Sequence, residues 1–436
     1  MDRFSDFLNE SVCNIFAVLN VAQTLLDAGF VELDEASSWT DIEPGGKYFM
    51  VKNDTAIFAF VAGSDPINGF HIIAAHSDSP GFRIKPNPEI IVNGCRRPTD
   101  GADLVKLNTE VYGGAILHTW FDRPLGICGR VEIENPADPM RPLVRAVCLD
   151  DPRLVIPHLA IHFNREVNRG VNLSAQKDML PVLGYVNDQL GGVGALKRTL
   201  ANELGCDADH ILDFDLTLYD LQPAHHVGYD NSWVNCGRLD DLAMVWCALQ
   251  AIITAQPARH TQVMAIFDNE ETGSGTRQGA HSPVLRSMLS RIMLHLHGSD
   301  DSEAMTRALA NSFLISADCA HATHPNYLEK MDPVNLPTLG GGPVVKINAN
   351  CKYMTDAETS AIFKGICRMA GVPYQVFVNH SDSPGGSTLG NILTGTLDIP
   401  GVDMGIGLLA MHSARETASL TDVDFTIKAF RQFYQL

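Results

Sequence analysis

The feature that most constrains this chain is a set of short, largely apolar runs that each end at a histidine or a carboxylate. The runs and the residues that follow them are 71–75 with His76, 262–267 with Asp268, 312–317 with Asp318, and 402–411 with His412. Helical patterns separate the runs, and this alternation predicts a mostly parallel sheet with helices on both faces. Ligands bind beyond the carboxyl ends of the strands in such sheets, so these side chains are predicted to converge.

The predicted fold class is α/β, with a mixed, mostly parallel sheet flanked by helices and interrupted by a β-rich insertion. Between about residues 83 and 225, frequent Pro, Gly and Asn residues separate short β-forming runs. We therefore predict that residues 1–82 and 226–436 form two parts of one α/β domain, and that residues 83–225 form the insertion. Residues 4–28 carry apolar side chains at helical spacing before Gly29, which predicts one helix that stops there.

The charge and composition of the chain disfavour some classes of partner. Its 436 residues carry a formal net charge of −19, which argues against nucleic acid and anionic membranes because both would repel it. The first residues show no signal peptide, and no uncharged apolar run approaches the roughly 20 residues that span a bilayer. The ten cysteines contain no C-x-x-C pair, which disfavours a structural zinc knuckle. Most lie among apolar neighbours, as buried thiols do in a reducing compartment. We therefore expect a cytoplasmic protein.

The side chains at the strand ends suit divalent metal ions. Imidazole and carboxylate together are ligands for zinc, with cobalt or manganese as alternatives. Two adjacent ions need about six protein contacts, of which one bridging carboxylate can supply two, and such ions can share a water and lower its pKa. The predicted ligands, with Asp240 as the bridge, are His76, Asp240, Glu271, Asp318 and His412.

The adjacent residues Glu270 and Glu271 predict a division of roles between a ligand and a base. On an extended strand terminus neighbouring side chains point to opposite sides, so one carboxylate can bind metal while the other faces the water as general base. Asp78 lies two residues after His76, on the same side of an extended segment. It is predicted to accept the ring N–H of His76 and to fix its tautomer.

Each of these residues has an ordinary structural explanation when it is taken alone. A histidine after a strand is more often a capping or surface residue, and two adjacent glutamates usually form a solvated turn. Asp240 or Asp318 alone would more often cap a helix. The metal centre is predicted by the combination of all five at strand ends.

The chain also matches a known family at a series of short motifs. In chain order they are AHSDSPG (75–81), TEVYGG (109–114), HTWFDR (118–123), IPHLAIH (156–162), RLDDL (238–242), FDNEE (267–271), SAD (316–318), HATHPN (321–326) and AMHS (410–413). They extend over most of the chain and occur in the family's order. On these motifs the chain resembles the M18 aminopeptidases, the aspartyl aminopeptidase group of dinuclear zinc metallopeptidases.

The resemblance implies two divalent ions per chain and a general base, and Asp241 departs from the family pattern. The ligand groups that it implies are His76, Asp240 and Asp318 for one ion, and Asp240, Glu271 and His412 for the other. Glu270 would be the general base. Asp241 stands where the family commonly has Asn, and an extra carboxylate there can alter metal affinity or choice.

The resemblance also implies a substrate class and an assembly. Family members prefer peptides with N-terminal Asp or Glu, and Lys346 matches the position that reads the acidic side chain. His162 matches a histidine that reaches the active site of the dimer partner, so the β-rich insertion would be a dimerisation domain of a homo-oligomer, often a dodecamer. His380 repeats the string around His76 but matches no family ligand, and it is predicted not to bind metal.

The predicted function is a metallo-aminopeptidase that removes N-terminal, acidic residues from peptides by means of a metal-bridged water and a glutamate base. Two alternatives remain at this point. One is a related co-catalytic metal hydrolase, such as a deacylase or a carboxypeptidase. The other is a catalytically silent, metal-binding assembly protein.

Overall fold

The computed structural model describes residues 3–186, 194–299 and 301–436. The chain divides into two compact units. The first comprises Met1–Asp78, Ala224–Met411 and Glu416–Leu436. The second comprises Ser79–Pro223 and His412–Arg415. Across the described ranges, no helix is both long and apolar enough to cross a bilayer.

The helices have the following bounds in the described residues. They are α1 (Arg3–Glu10), α2 (Asn14–Asp27), α3 (Ala175–Asp178), α4 (Ala195–Leu204), α5 (Leu239–Ile252), α6 (Val284–His297), α7 (Ser302–Ala310), α8 (Ala357–Met369), α9 (Leu389–Leu393) and α10 (Leu420–Tyr434).

The strands of the first unit precede and follow those of the second along the chain. In chain order the strands are β1 (Val31–Glu32), β2 (Lys47–Lys52), β3 (Ala56–Val61), β4 (Phe70–His76), β5 (Gly81–Arg96), β6 (Asp103–Tyr112), β7 (Leu125–Ile133), β8 (Leu143–Leu154), β9 (Val182–Val186), β10 (Ile211–Asp220), β11 (His225–Val227), β12 (Trp233–Cys236), β13 (Thr261–Phe267), β14 (Phe313–Ala317), β15 (Ala320–His321), β16 (Val344–Lys346), β17 (Gln375–Phe377), β18 (Gly401–Gly405), β19 (Gly407–Leu409) and β20 (Glu416–Ser419).

The first unit is built on a mixed sheet with the strand order β1-β2-β3-β13-β4-β14-β18-β16-β17. Its central pairs, β13–β4, β4–β14 and β14–β18, are parallel, while β2–β3, β3–β13 and β16–β18 are antiparallel. A smaller sheet of the same unit has the order β11-β12-β20-β19-β15. The predicted α/β fold with a mostly parallel sheet is confirmed.

Both faces of the large sheet are covered, which explains why its central strands read as almost continuous apolar runs. Along β13, Met264 and Ile266 join the core that contains residues of α2, α5 and α10. Their neighbours Val263 and Ala265 point the other way, into the core that contains residues of α6 and α7. Successive strand residues alternate between faces, so each strand contributes to two helix layers and leaves little freedom at its carboxyl end.

The second unit is a separate antiparallel sheet with the strand order β8-β7-β10-β5-β6-β9. Its core contains apolar side chains from the strands together with Leu196 and Leu200 of α4. This sheet gives the second unit the β-rich character that is predicted for the insertion. The assignment of this unit to dimerisation stays a prediction.

The amino-terminal segment differs from the single helix predicted over 4–28, because it forms α1 and α2 with a break between them. Cys13 is extended, with φ −156° and ψ 176°, and interrupts the helical path. The guanidinium of Arg238 donates to the carbonyl oxygens of Leu8 and Ser11 at 3.3 and 3.1 Å. These bonds satisfy carbonyl groups that the broken helix leaves without internal donors. The predicted stop is correct, since Gly29 has φ +83° after α2.

Two stacked histidines lie beneath the carboxyl-terminal helix. The rings of His71 and His260 are 3.5 Å apart between centroids, and His71 also stacks on Phe433 at 4.7 Å. His71 Nδ1 lies 3.0 Å from the carbonyl oxygen of Phe433, and His260 Nε2 lies 3.2 Å from that of Tyr434. Burial, with repulsion from His260, lowers the pKa of His71 from 6.5 to about 4.

From this histidine pair we predict that the protein loses stability in mild acid. Between pH 6.5 and about 4 the unfolded chain binds a proton that folded His71 excludes, so the free energy of unfolding falls as pH falls through this window. The full effect is at most about 3.5 kcal/mol, at roughly 1.4 kcal/mol per pKa unit. In urea titrations from pH 7 to 4.5, His71→Asn is expected to flatten this pH dependence. The exposed control His281→Asn is expected to keep it, and equal slopes for all three proteins would contradict the assignment.

Candidate metal centre

Parallel pairing brings chemically active side chains to one edge of the large sheet. His76 ends β4 opposite Phe267, the last residue of β13, and β14 pairs with the other side of β4. Asp268 and Asp318 directly follow these two neighbouring strands. The carboxyl ends of three adjacent strands therefore deliver one imidazole and two carboxylates to the same edge, as the sequence predicts.

The start of α5 adds two more carboxylates. Asp240 and Asp241 lie within the helix bounds but have non-helical backbone angles, and the peptide bond between them is cis. The N–H of Asp240 donates to Glu416 Oε2 at 3.0 Å. Asp241 Oδ2 accepts the backbone N–H of His76 at 3.1 Å. These bonds direct the first turn of α5 towards the end of β4.

His76 is the centre of this cluster. Its Nε2 lies 3.6 Å from Asp240 Oδ1 and 3.9 Å from Asp241 Oδ2. One ligand atom each from His76, Glu270 and Asp318 lie within 4.8 Å of one another, and the same holds for His76, Asp240 and Asp241. The first unit therefore places five side chains around one small volume.

Asp78 ties together two parts of the cluster that are distant in sequence. Its carbonyl oxygen lies 3.1 Å from His76 Nδ1, and its Oδ1 lies 3.3 Å from the same ring nitrogen. Its two carboxylate oxygens accept the backbone N–H groups of Glu270 and Glu271 at 3.1 and 3.2 Å. One side chain thus contacts the imidazole and fixes the backbone that carries the glutamate pair.

Glu270 and Glu271 do not continue β13 as an extended terminus, and that part of the prediction is wrong. Asn269 takes a left-handed conformation with φ 62°, and Glu270–Thr272 form one turn of 3₁₀-helix. Three backbone bonds hold the turn: the N–H groups of Thr272 and Ser274 donate to Asn269 O at 3.3 and 2.7 Å, and that of Gly273 donates to Glu270 O at 2.9 Å. Asp78 anchors this turn. The directions of the two carboxylates are therefore set by the turn and not by strand alternation.

The cluster is electrostatically unfavourable without a cation. Burial, and then repulsion from Asp318, raise the pKa of Glu270 to about 8. Burial, and then repulsion from Asp240, raise the pKa of Glu271 well above its ordinary value. Burial also raises the pKa of Asp241, and Asp318 adds to this effect. Burial opposes protonation of His76, but Asp241 and Asp240 raise its pKa well above 6.5.

The donor set fits a divalent metal ion. Asp241 is fully buried, and its Oδ1 has no hydrogen-bond partner among the described residues. A buried carboxylate oxygen in this position is costly unless a positive charge compensates it. Imidazole nitrogen with several carboxylate oxygens is a typical ligand set for zinc and similar cations.

The other predicted site residues have different surroundings. Lys346, at the end of β16, is buried and donates from Nζ to Asp318 Oδ1 at 3.0 Å and to Cys319 O at 3.1 Å. His412 belongs to the second unit, where its Nδ1 lies 3.2 Å from Gly114 O. His162 is exposed in a loop of the second unit. Among the groups of metal-ligand type found in the described residues, none contains His380.

Sequence reasoning missed two contacts of the cluster. Glu416 lies on β20 in the smaller sheet and holds the N–H of Asp240, and no motif or strand-end pattern marks it. The bond between Lys346 and Asp318 joins the ends of β16 and β14. It follows from strand order in the sheet, since these two strands are separated only by β18.

The fold and the buried carboxylate-rich cluster are those of an α/β metalloenzyme. A family model described as "Aminopeptidase I zinc metalloprotease (M18)" matches residues 7–434. The chain therefore belongs to the M18 family of zinc metallo-aminopeptidases.

Individual relatives agree with this membership. The chain is 46% identical over 433 residues to the "Probable M18 family aminopeptidase 2" of Clostridium novyi, covering 99% of this chain and 97% of the relative. It is 36% identical to "Aspartyl aminopeptidase 4" of Saccharomyces cerevisiae, covering 99% and 94%. The solved mApe1 dodecamer of S. cerevisiae superposes with a TM-score of 0.81 at 26% identity, covering 99% and 95%.

Asp78→Asn tests the double role of this carboxylate. Asparagine keeps the shape, but its NH2 group must then face the backbone N–H of Glu270 or Glu271. Two donors cannot bond to each other, so one of the two hydrogen bonds is lost. Zinc affinity is expected to fall by roughly 10- to 100-fold, as for other groups that orient ligands, and competition with a zinc-binding dye measures it.

Asp422→Asn is the matched control for this test. Asp422 is also buried and also accepts two backbone N–H groups, from Gly340 and Gly342 at 2.8 and 2.7 Å. Its replacement is expected to lower the unfolding temperature while zinc affinity stays near that of the parent. Equal zinc affinities for Asp78→Asn and the parent would contradict the role of Asp78.

Proposed function

We propose that this M18 metallo-aminopeptidase removes N-terminal aspartate and glutamate from peptides with two divalent ions, and with Glu270 as general base. The observation that carries the proposal is the cluster in which Glu270, His76 and Asp318 bring ligand-type atoms within 4.8 Å of one another. Asp78 accepts the backbone N–H of Glu270. This bond helps to position the Glu270 side chain beside the cluster.

The proposed ligands divide into two groups, as the family resemblance implies. The groups are His76, Asp240 and Asp318 for one ion, and Asp240, Glu271 and His412 for the other. Zinc is the cation of the family, and when bound it would act as a Lewis acid on the scissile carbonyl and favour ionisation of water. The contact between Asp78 and His76 Nδ1 leaves Nε2 as the nitrogen that faces the ligand position.

Glu270 performs the proton transfers. Its carboxylate takes a proton from the attacking water, and it later gives this proton to the leaving amine as the peptide bond breaks. The same side chain can do both because it lies beside the reacting atoms and its backbone is fixed by Asp78. Its half-buried position limits the access of bulk water to the transfer.

The acidic preference rests on Lys346 and on the name of one relative. Lys346 is a buried ammonium at the metal cluster, 3.0 Å from Asp318 Oδ1. Although burial opposes it, attraction to Asp318 raises the pKa of Lys346, so the residue carries a positive charge. An ammonium can pair with a substrate carboxylate as a point charge. The similar yeast protein is named an aspartyl aminopeptidase.

The assembly proposal is a homo-oligomer built from dimers, with twelve subunits as in the similar mApe1 structure. In the second unit, His162 is flanked along the chain by apolar side chains that are exposed: Ile161 at 49% and Phe163 at 80%. Exposed apolar side chains of this size are typical of protein interfaces. We propose that this loop contacts a second subunit and that His162 reaches the active site of that subunit.

Glu270→Gln tests the role of the general base. Glutamine keeps the size of the side chain but cannot accept the proton, so kcat is expected to fall by at least about 100-fold. Zinc content, measured by atomic emission on the purified protein, is expected to stay at the parental value. Glu271→Gln is the comparison variant and should lose zinc as well as activity. Parental turnover by Glu270→Gln would exclude the proposed role.

Lys346→Met separates substrate recognition from support of Asp318. If Lys346 reads the acidic side chain, kcat/KM for Asp- and Glu-peptides should fall by about 10- to 100-fold more than for a Leu-peptide, because a charge-assisted bond is lost. The exposed residue Lys330 offers a control, and Lys330→Met should change none of the three. An equal fall for all three substrates would instead assign Lys346 to holding Asp318.

A further inference from the structure

Two cysteines of the second unit face each other across neighbouring strands. In the antiparallel register of β7 and β8, Cys128 is the direct partner of Cys148. Directly opposed residues of an antiparallel pair point to the same face of the sheet, with Cα atoms about 4.5 to 5.5 Å apart. Disulfides join residues whose Cα atoms are about 4.4 to 6.8 Å apart. The two sulfurs can therefore bond without a change of strand pairing.

The surroundings of the pair differ on its two sides. Cys128 is fully buried, whereas Cys148 is partly exposed and its Sγ lies 3.3 Å from the hydroxyl of Tyr219 on β10. Burial raises the pKa of Tyr219, and the neighbouring Cys148 and Cys128 add to this effect. A reagent can thus approach the pair from the side of Cys148, while Cys128 is held behind it.

The opposed arrangement distinguishes this pair from the remaining cysteines. Within the residues that the structure describes, no other two cysteines are register partners in a strand pair. Cys95 and Cys351 are more exposed but have no such partner. An oxidant that reacted according to exposure alone would therefore modify Cys95 and Cys351, whereas the strand register favours a bond between Cys128 and Cys148.

We propose that Cys128 and Cys148 form a reversible intrachain disulfide when the protein meets a low-molecular-weight disulfide of the glutathione type. The thiolate of Cys148 attacks the reagent disulfide, forms a mixed disulfide and releases one thiolate. Cys128, after loss of its proton, attacks the sulfur of Cys148 and releases the second thiolate. The two cysteine thiols lose two protons and two electrons, and one reagent disulfide is reduced to two thiols.

The geometry makes this disulfide easy to reverse. Opposed cross-strand residues have Cβ atoms about 4.5 to 5.5 Å apart, whereas a relaxed disulfide needs about 3.5 to 4.5 Å. Closing the bond draws β7 and β8 together against the packing of the sheet. Strained disulfides are reduced more readily than structural ones, so the bond responds to the ratio of thiol to disulfide in its surroundings.

Peptide mapping of the full-length, zinc-loaded protein tests the proposal. The protein is equilibrated with mixtures of oxidised and reduced glutathione, alkylated, and digested with trypsin without reduction. Arg130 and Arg145 lie between the two cysteines, so trypsin places them on separate peptides. The expected product is these two peptides joined, two hydrogen masses lighter than their sum, and dithiothreitol should separate them again.

Variants distinguish a disulfide from modification of a single thiol. The experiment is done in a Cys95→Ser and Cys351→Ser background, which removes the two exposed thiols. Added Cys128→Ser is expected to stop the reaction at a glutathione adduct on Cys148, and added Cys148→Ser to leave Cys128 alkylatable only after unfolding. A stable glutathione adduct on Cys148 in the protein that keeps both cysteines, or no change at either residue, would overturn the proposal. The mapping result does not depend on aminopeptidase activity.

Discussion

The structure depends on one constraint, which is that several carboxylates must be held together in a buried place where they repel one another. Asp240, Asp241 and Glu271 each lie in or next to an element that the apolar core fixes. Burial and mutual repulsion raise the pKa values of Asp241 and Glu271. The favourable free energy that offsets this repulsion has to come from the packing of the sheet and from the cation that the site receives.

Asp78 shows how the fold meets this constraint with backbone groups. Its carboxylate is surrounded by the N–H groups of Glu270 and Glu271, which stabilise its charge without adding a positive side chain. It also contacts the ring nitrogen of His76 on the neighbouring strand end. The end of β4 and the turn after β13 are thus positioned by one residue, so His76 and Glu270 keep their relative positions.

The parts of the site that the sequence predicts are those that follow from sheet topology. Parallel strands end at one edge, so His76 and Asp318 could be brought together from the positions of the apolar runs alone. The conformation of Glu270 could not, because the left-handed residue Asn269 turns the chain and no local pattern fixes that turn. The break before α2 is bonded by Arg238, a residue from a distant segment, and local periodicity does not predict this contact.

The charges around the cluster give a physical reason for expecting a divalent cation there. The carboxylates that take part are Asp240, Asp241, Asp318, Glu270 and Glu271. Lys346 supplies one positive charge through its bond to Asp318. Burial and mutual repulsion raise the pKa values of Glu270, Glu271 and Asp241, so without a cation these carboxyl groups favour the protonated form. A bound divalent ion would favour their ionised forms, and Asp241 adds one more carboxylate that such an ion can stabilise.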